Sequence, residues 1–75
     1  MNERKTIGII GGGQLGLMIA EAARPMGIRT VCLDPAPDAP AGAVCDEHIV
    51  GRFDDAAAVE ELCRRSDAVT YEFEN

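Results

Sequence analysis

Residues 7–16 read Ile-Gly-Ile-Ile-Gly-Gly-Gly-Gln-Leu-Gly, and this stretch decides the fold. Its branched apolar residues are typical of a strand that is buried on both faces. Gly11, Gly13 and Gly16 have the G-x-G-x-x-G spacing that joins a parallel strand to a helix. In that motif Gly11 allows a tight turn, Gly13 lets a ligand approach the backbone, and Gly16 lets the helix pack closely on the sheet. The stretch therefore predicts a strand–turn–helix unit with a ligand site at the start of the helix.

The hydrophobic pattern of the whole chain predicts four strands and two helices. Short branched apolar runs indicate strands, and apolar residues three and four positions apart indicate helices. The predicted strands are residues 6–10, 30–33, 47–50 and 68–71, and the predicted helices are about 14–26 and 54–65. Gly27 is suited to end the first helix in a left-handed conformation, and Asp54 or Asp55 to cap the second.

The same periodicity predicts which helix faces are buried. In the first helix these are Leu15, Met18, Ile19, Ala22, Ala23 and Met26; in the second they are Val59, Leu62 and Cys63. The solvent side of the second helix carries two pairs of opposite charge four residues apart, Glu60 with Arg64 and Glu61 with Arg65. Pairs in that order stabilise an exposed helix slightly.

Strands that alternate with crossovers predict an α/β fold with an open, doubly wound parallel sheet. Right-handed crossovers favour the strand order 3-2-1-4, in which the winding direction reverses between the first and fourth strands. We expect a Rossmann-like sheet that is truncated, because the sequence stops where the fourth strand would lead into another helix.

Ligands of such sheets bind beyond the carboxyl ends of the strands, where the winding reverses. Two segments are predicted to meet there, the glycine loop with the start of its helix and the acidic tail of the chain. Backbone N–H groups and an amide beside a carboxylate suit the hydroxyls of a sugar or an amine. The predicted substrate-binding residues are Gly13, Gln14, Leu15 and Glu72, with Gly11, Gly12, Asp34 and Glu74 as further candidates.

Composition excludes several classes of function. The chain has 75 residues, with thirteen acidic against seven basic side chains, and this balance argues against a nucleic-acid partner. Cys32, Cys45 and Cys63 have no metal-ligand spacing to one another or to His48, so we predict no metal site and reduced thiols that fill core space in a cytoplasmic protein. The sequence has neither the pattern of a signal peptide nor an apolar run of membrane-spanning length.

Two alternatives remain open on the residues alone. In a nicotinamide-dinucleotide-binding domain of an oxidoreductase, Asp34 would hold the adenosine ribose, because it follows the second strand about twenty residues after the loop. Against this, Glu72 and Glu74 would repel a pyrophosphate that crosses the same crevice. Asp34 is better suited to accept hydrogen bonds from the turn before Pro35 than to hold a ligand. The other alternative is a non-catalytic Rossmann-like module.

Four segments of the chain resemble the N5-carboxyaminoimidazole ribonucleotide synthetase family, which are ATP-grasp enzymes of purine biosynthesis. The segments are Gly-Gly-Gly-Gln-Leu-Gly at 11–16, Leu-Asp-Pro at 33–35 with Asp-Ala-Pro-Ala at 38–41, Asp-Glu-His-Ile-Val at 46–50, and Val-Thr-Tyr-Glu-Phe-Glu-Asn at 69–75. The glycine loop is shared with many folds, whereas the last segment together with Asp-Pro is specific.

The resemblance implies that residues 1–75 are the incomplete N-terminal pre-ATP-grasp domain of a longer ligase, with the ATP-grasp and C-terminal domains outside this chain. Such an enzyme carboxylates aminoimidazole ribonucleotide with bicarbonate, using ATP and Mg²⁺ bound by the other domains, and the full-length protein is expected to be a homodimer. Gln14, Leu15 and Glu72 would contact the ribonucleotide. The isolated chain would contain no catalytic residue and would be inactive.

Overall fold

The computed structural model describes residues 4–71. The strands are β1 (Thr6–Ile10), β2 (Arg29–Asp34), β3 (Glu47–Val50) and β4 (Ala68–Tyr71), and the helices are α1 (Gln14–Ala23) and α2 (Ala56–Arg65). Two short 3-10 turns, Arg24–Met26 and Pro40–Ala43, follow α1 and precede β3. These elements alternate along the chain as the sequence predicts. The final predicted strand is described only to Tyr71, and the tail at 72–75 lies outside the described residues.

The four strands form one parallel sheet in the order β3-β2-β1-β4, which confirms the predicted topology. In the central pair, Ile9 of β1 lies opposite Cys32 of β2, and on its other side Ile9 lies opposite Thr70 of β4. The chain winds outward from β1 to β3 and then returns to place β4 on the other side of β1. The reversal of winding therefore falls beside the strand that precedes the glycine loop.

The helices cover opposite faces of the sheet. Ile9 and Cys32 form a core cluster that contacts α1, and the alternate residues Val31 and Leu33 form a second cluster with Leu62 of α2. Successive side chains of a strand point to opposite faces, so these two clusters are the two layers of a doubly wound fold. Both layers are thin, and β2 supplies residues to each.

The first helix differs from its prediction in length and in orientation. It ends at Ala23, and the residues around Pro25 continue as a 3-10 turn that ends at Gly27, whose φ of 74° confirms the predicted left-handed stop. A proline in the last turn removes one helical hydrogen bond, which explains the change of helix type. The buried residues of α1 are Gly16, Ala20 and Ala23.

The large apolar side chains that were predicted to be buried in this segment point outward instead. Leu15, Met18 and Met26 are 37%, 57% and 70% exposed, and Ala22 is exposed as well. Ile19 is half-buried against the core, so that part of the prediction is correct. The helix turns its smallest residues to the sheet because they allow the closest approach of two backbones.

The second helix agrees better with its pattern. Asp55 caps it, with its carboxylate accepting hydrogen bonds from the N–H groups of Ala57 and Ala58. Leu62 is fully buried and Val59 is half-buried, as predicted. Cys63 is exposed, so its predicted burial is wrong; it lies one position past Leu62 and therefore about 100° around the helix.

Candidate functional site

The glycine loop leaves β1 through a turn that only glycine adopts without strain. Gly11 has a φ of 111°, and its N–H donates to the carbonyl oxygen of Leu33 at 2.8 Å. A side chain at this φ would be strained, so the role predicted for Gly11 as the turn residue is confirmed. The bond to Leu33 ties the turn to the end of β2.

Asp34 holds the next residue of the loop in place. One carboxylate oxygen of Asp34 accepts from the N–H of Gly12 at 2.8 Å, and the other accepts from the N–H of Ala36 at 2.9 Å. The carbonyl oxygen of Gly12 in turn accepts from the N–H of Ala41 at 2.8 Å. Both polar atoms of the Gly12 backbone are therefore bonded inside the protein, and both carboxylate oxygens of Asp34 serve local backbone donors.

Gly12 has a structural role that the sequence pattern did not assign. A Cβ on Gly12 would lie 3.0 Å from the Cβ of Ala39 and 3.1 Å from the Cβ of Asp34. The close approach to Asp34 is what permits the hydrogen bond between them. Since Gly12 lies at the x position of G-x-G-x-x-G, the motif spacing carries no signal for this contact.

The opposite situation holds at Gly13, the N-cap residue directly before α1. Gly13 is exposed, and a Cβ built on it would meet nothing within 4 Å. No side chain caps this end of α1, and its first turn contains no acidic residue. The first N–H groups of a helix carry partial positive charge and suit polar or anionic groups. The start of α1 is therefore open to a ligand.

Gln14 and Leu15 flank this opening. Both are exposed residues in the first turn of α1. The amide of Gln14 can donate and accept hydrogen bonds, while Leu15 adds an apolar side chain that turns away from the sheet. Gly16 closes the loop on the protein side, because a Cβ there would lie 2.5 Å from the carbonyl oxygen of Gly11. This confirms the predicted role of Gly16 in close helix packing.

The fourth strand reaches the same edge of the sheet. Tyr71 pairs with Ile10, which directly precedes the glycine loop. The structure thus brings Gly13, Gln14 and Leu15 to the end of β1 and aligns the end of β4 beside it. Glu72 and Glu74, the two predicted acidic residues of the site, lie outside the described residues.

His48 has a partner that the sequence did not reveal. It is half-buried on β3, and its Nε2 lies 3.2 Å from the carbonyl oxygen of Asp34. A Cβ on Gly42 would collide with its ring. His48 therefore packs against the turn that supports the glycine loop, on the side away from β4.

A groove elsewhere on the surface does not include any residue of the predicted binding site. A groove of about 420 Å³ is lined by Pro35, Arg52, Phe53 and Asp54, none of which belongs to the predicted site. Within residues 4–71 there is no group of three His, Cys, Asp or Glu side chains that could hold a metal ion. In the same part of the chain, no helix is long and apolar enough to cross a membrane.

Known proteins resemble this chain closely. The model of the ribonucleotide synthetase pre-ATP-grasp domain family matches residues 4–75. The N5-carboxyaminoimidazole ribonucleotide synthase of Staphylococcus haemolyticus is 56% identical over 70 residues, which are 93% of this chain and 19% of that relative.

Solved structures give the same result. An ADP complex of N5-carboxyaminoimidazole ribonucleotide synthetase superimposes with a TM-score of 0.93 at 52% identity, covering 100% of this chain and 20% of the other. The synthetase from Thermotoga maritima has a TM-score of 0.89 at 51% identity, covering 92% of this chain and 19% of the other. The chain thus spans about one fifth of the length of these relatives. On sequence and fold together, it belongs to the ribonucleotide synthetase pre-ATP-grasp domain family.

Proposed function

We propose that this chain is the ribonucleotide-binding N-terminal part of an ATP-dependent ligase that carboxylates 5-aminoimidazole ribonucleotide with bicarbonate. The observation that carries the proposal is the uncapped, sterically open start of α1 beside the end of β4. The names of relatives that are more than half identical supply the product, N5-carboxyaminoimidazole ribonucleotide, and the resemblance to that family supplies the reaction. The chain then acts as an incomplete pre-ATP-grasp domain, and the rest of the ligase does the chemistry.

In this proposal the ribonucleotide is held by Gly13, Gln14, Leu15 and Glu72. The backbone N–H groups at the start of α1 and the Gln14 amide bind polar atoms of the ligand, and Gly13 leaves room for it. The Glu72 carboxylate accepts from a ribose hydroxyl or an amine. Support for including Glu72 comes from the register of β4, since Tyr71 pairs with Ile10 and Glu72 is the next residue along the chain.

ATP and Mg²⁺ would bind elsewhere in the ligase. Residues 4–71 contain no group of three metal-ligating side chains. The glycine loop also differs from a phosphate-binding P-loop, because Leu17 rather than a lysine follows its last glycine. Residues 4–71 therefore do not fit either group, and we assign this chain substrate binding only. We extend the proposal to a homodimeric full-length enzyme.

The structure favours this function over the nicotinamide alternative. Both carboxylate oxygens of Asp34 accept backbone hydrogen bonds from Gly12 and Ala36. An acidic residue that held a ribose of a dinucleotide would have to share these oxygens with the ligand. Asp34 is better described as a structural residue: a role in the local turn at Pro35 was predicted for it, whereas its hydrogen bond to the loop at Gly12 was not.

Calorimetric titration of the chain with aminoimidazole ribonucleotide, and separately with NADH, tests the binding proposal. We expect heat of binding with the ribonucleotide but not with NADH. The Gln14→Ala and Glu72→Gln variants should bind the ribonucleotide at least about tenfold more weakly, because each loses a hydrogen bond to the ligand. Glu60→Gln, on the solvent side of α2, is the matched control and should bind normally. Binding of NADH in preference to the ribonucleotide would overturn the proposal.

A chimera tests the link to the ligase. Residues 1–75 replace the corresponding N-terminal fifth of the Staphylococcus haemolyticus relative, and ATP hydrolysis that depends on the ribonucleotide and bicarbonate is measured. We expect the chimera to be active, and the 75-residue chain alone to hydrolyse no ATP. A folded chimera without activity, or turnover by the chain alone, would contradict the assignment of this chain to substrate binding in such an enzyme.

A further inference from the structure

Two of the three cysteines, far apart in sequence, lie side by side in the core. Cys32 is in the middle of β2 and is 0% exposed. Cys45 is half-buried in the segment between the Pro40–Ala43 turn and β3, and it packs against the cluster that contains Cys32, Ile9 and Ala41. The sequence predicted reduced thiols that fill core space, and Cys32 and Cys45 are free cysteines packed in one core cluster. The third cysteine, Cys63, is exposed on α2.

The backbone around the pair is firmly held. The N–H of Cys45 donates to the carbonyl oxygen of Ala41 at 2.8 Å. Asp46 is joined to Thr30 by two hydrogen bonds: its N–H donates to the Thr30 carbonyl at 2.9 Å, and its carboxylate accepts from the Thr30 N–H at 2.8 Å. These bonds fix the segment that carries Cys45 beside β2, where its side chain packs against the core cluster that contains Cys32.

The contact makes the two thiols chemically different. A hydrogen bond from the Cys32 thiol lowers the pKa of Cys45 to about 7, with a second bond from Thr30 acting in the same direction, while burial and the charge of Asp46 oppose the shift. The same contact with Cys45, together with burial and the charge of Asp34, raises the pKa of Cys32 far above its ordinary value. These shifts favour the thiolate at Cys45 over Cys32, and Cys45 is also the more accessible of the two, since Cys32 is fully buried. Thiolates are the nucleophilic form of cysteine.

We propose that Cys45 and Cys32 form a hydroperoxide-reactive dithiol site, in which Cys45 reacts with the peroxide and Cys32 resolves the product to an internal disulfide. The Cys45 sulfur attacks one peroxide oxygen, the O–O bond breaks, and the released hydroxide takes a proton to give water, which leaves a sulfenic acid on Cys45. The Cys32 sulfur then attacks the Cys45 sulfur, the S–O bond breaks, and the leaving hydroxide takes the Cys32 proton. In balance, two thiols and one hydrogen peroxide give one disulfide and two waters.

The site is independent of the proposed ribonucleotide-binding residues, because neither cysteine belongs to them. It also has a built-in internal control. Cys63 is more accessible than either member of the pair, yet it has no neighbouring cysteine with which to form an internal disulfide. A reaction governed by exposure alone would therefore begin at Cys63, whereas a reaction governed by the pair begins at Cys45.

The cleavage sites of trypsin separate these cases. Cleavage after Arg29 and Arg52 releases residues 30–52, which carry both Cys32 and Cys45, and cleavage after Arg64 releases residues 53–64 with Cys63. The folded chain is treated with one equivalent of hydrogen peroxide, denatured, alkylated with iodoacetamide and analysed by mass spectrometry. We expect peptide 30–52 to lose two hydrogen atoms and take up no alkyl group, and peptide 53–64 to be alkylated. Oxidation at Cys63 first, or double alkylation of peptide 30–52, would overturn the proposal.

Variants then test the roles of the two sulfur atoms. In Cys32→Ala, which removes both the resolving sulfur and the hydrogen-bond donor, Cys45 should stop at the sulfenic acid, which dimedone traps, and the midpoint of its alkylation with pH should rise from about 7. Cys63→Ser should still form the internal disulfide. A Cys32→Ala protein whose Cys45 keeps the wild-type pH profile would refute the pairing. If that variant does not fold, the peroxide experiment on the wild-type chain decides the proposal alone.

Discussion

The two helices of this small domain are of equal length and cover opposite faces of one sheet, yet they are built in opposite ways. The second helix buries a large side chain, Leu62, caps its first turn with Asp55 and presents ion pairs to solvent. The first helix buries glycine and alanine, has no side-chain cap, and exposes Leu15 and Met18. The second helix has the ordinary construction of a surface helix. The first helix has neither a side-chain cap nor buried large apolar residues in those positions.

The difference has a physical reason at the start of α1. Close contact between α1 and the end of β1 needs small residues, because a Cβ on Gly16 would lie 2.5 Å from the Gly11 carbonyl oxygen and 3.4 Å from the Ile9 side chain. A side-chain cap there would occupy the donors that a ligand would use. The features that make α1 a weaker helix than α2 are therefore those that leave a binding site open.

Among the variants that compare the two helices, we expect the largest loss of stability from removal of the large buried side chain of α2. We expect Leu62→Ala to lower the free energy of unfolding by about 2–5 kcal/mol, because it leaves a cavity between α2 and β2. Met18→Ala in α1 is the matched control and should change that free energy by less than about 0.5 kcal/mol, since Met18 is exposed. Urea unfolding followed by circular dichroism measures both. Equal losses would show that Met18 is buried in solution.

The same contrast explains what the sequence could and could not predict. The order of the strands followed from local patterns and general crossover rules, since branched runs and the glycine loop are both local signals. The orientation of α1 was predicted incorrectly because periodicity weights large apolar residues, whereas this helix packs through Gly16 and Ala20. The bracing of Gly12 by Asp34 spans 22 residues in sequence, so no local pattern could indicate it. The pairing of Cys32 with Cys45 was missed for the same reason.

Filling the close contact of α1 gives the next largest effect. We expect Gly16→Ala to lower the free energy of unfolding by about 1–3 kcal/mol, because the new Cβ would lie 2.5 Å from the Gly11 carbonyl oxygen and must push α1 off the sheet. Gly13→Ala adds the same methyl group where nothing lies within 4 Å, and we expect a smaller loss. Thermal unfolding of the two variants side by side measures the difference. A stable Gly16→Ala protein would mean that α1 and the sheet are not in close contact.

Giving α1 the cap that α2 already has should separate stability from binding. Gly13 has an extended backbone, with φ of −78° and ψ of −155°, which suits a capping side chain. We expect Gly13→Asp to raise the free energy of unfolding by about a few tenths of a kcal/mol and to weaken ribonucleotide binding, because the new carboxylate takes the helix donors. Asp55→Ala in α2 is the reverse change and should cost about 0.5–2 kcal/mol. A Gly13→Asp protein that binds the ribonucleotide normally would remove the start of α1 from the site.

The smallest expected effect concerns the ion pairs on α2. A hydrogen bond from Arg65 to Glu61 at 2.6 Å lowers the pKa of this carboxyl group, with Arg64 adding to the effect. A carboxyl group whose pKa is lowered by folding stabilises the native state above its unfolded pKa, and this stabilisation is lost as the pH falls through its folded value. Acidification from neutral pH to about pH 3 should therefore cost the wild-type chain slightly more than it costs Glu61→Gln. Because both side chains meet solvent, salt near 1 M should screen the pair and abolish the difference. If the difference persisted at this salt concentration, the Glu61–Arg65 pair would be shielded from water, and the description of this side of α2 as an ordinary solvent-exposed surface would be wrong.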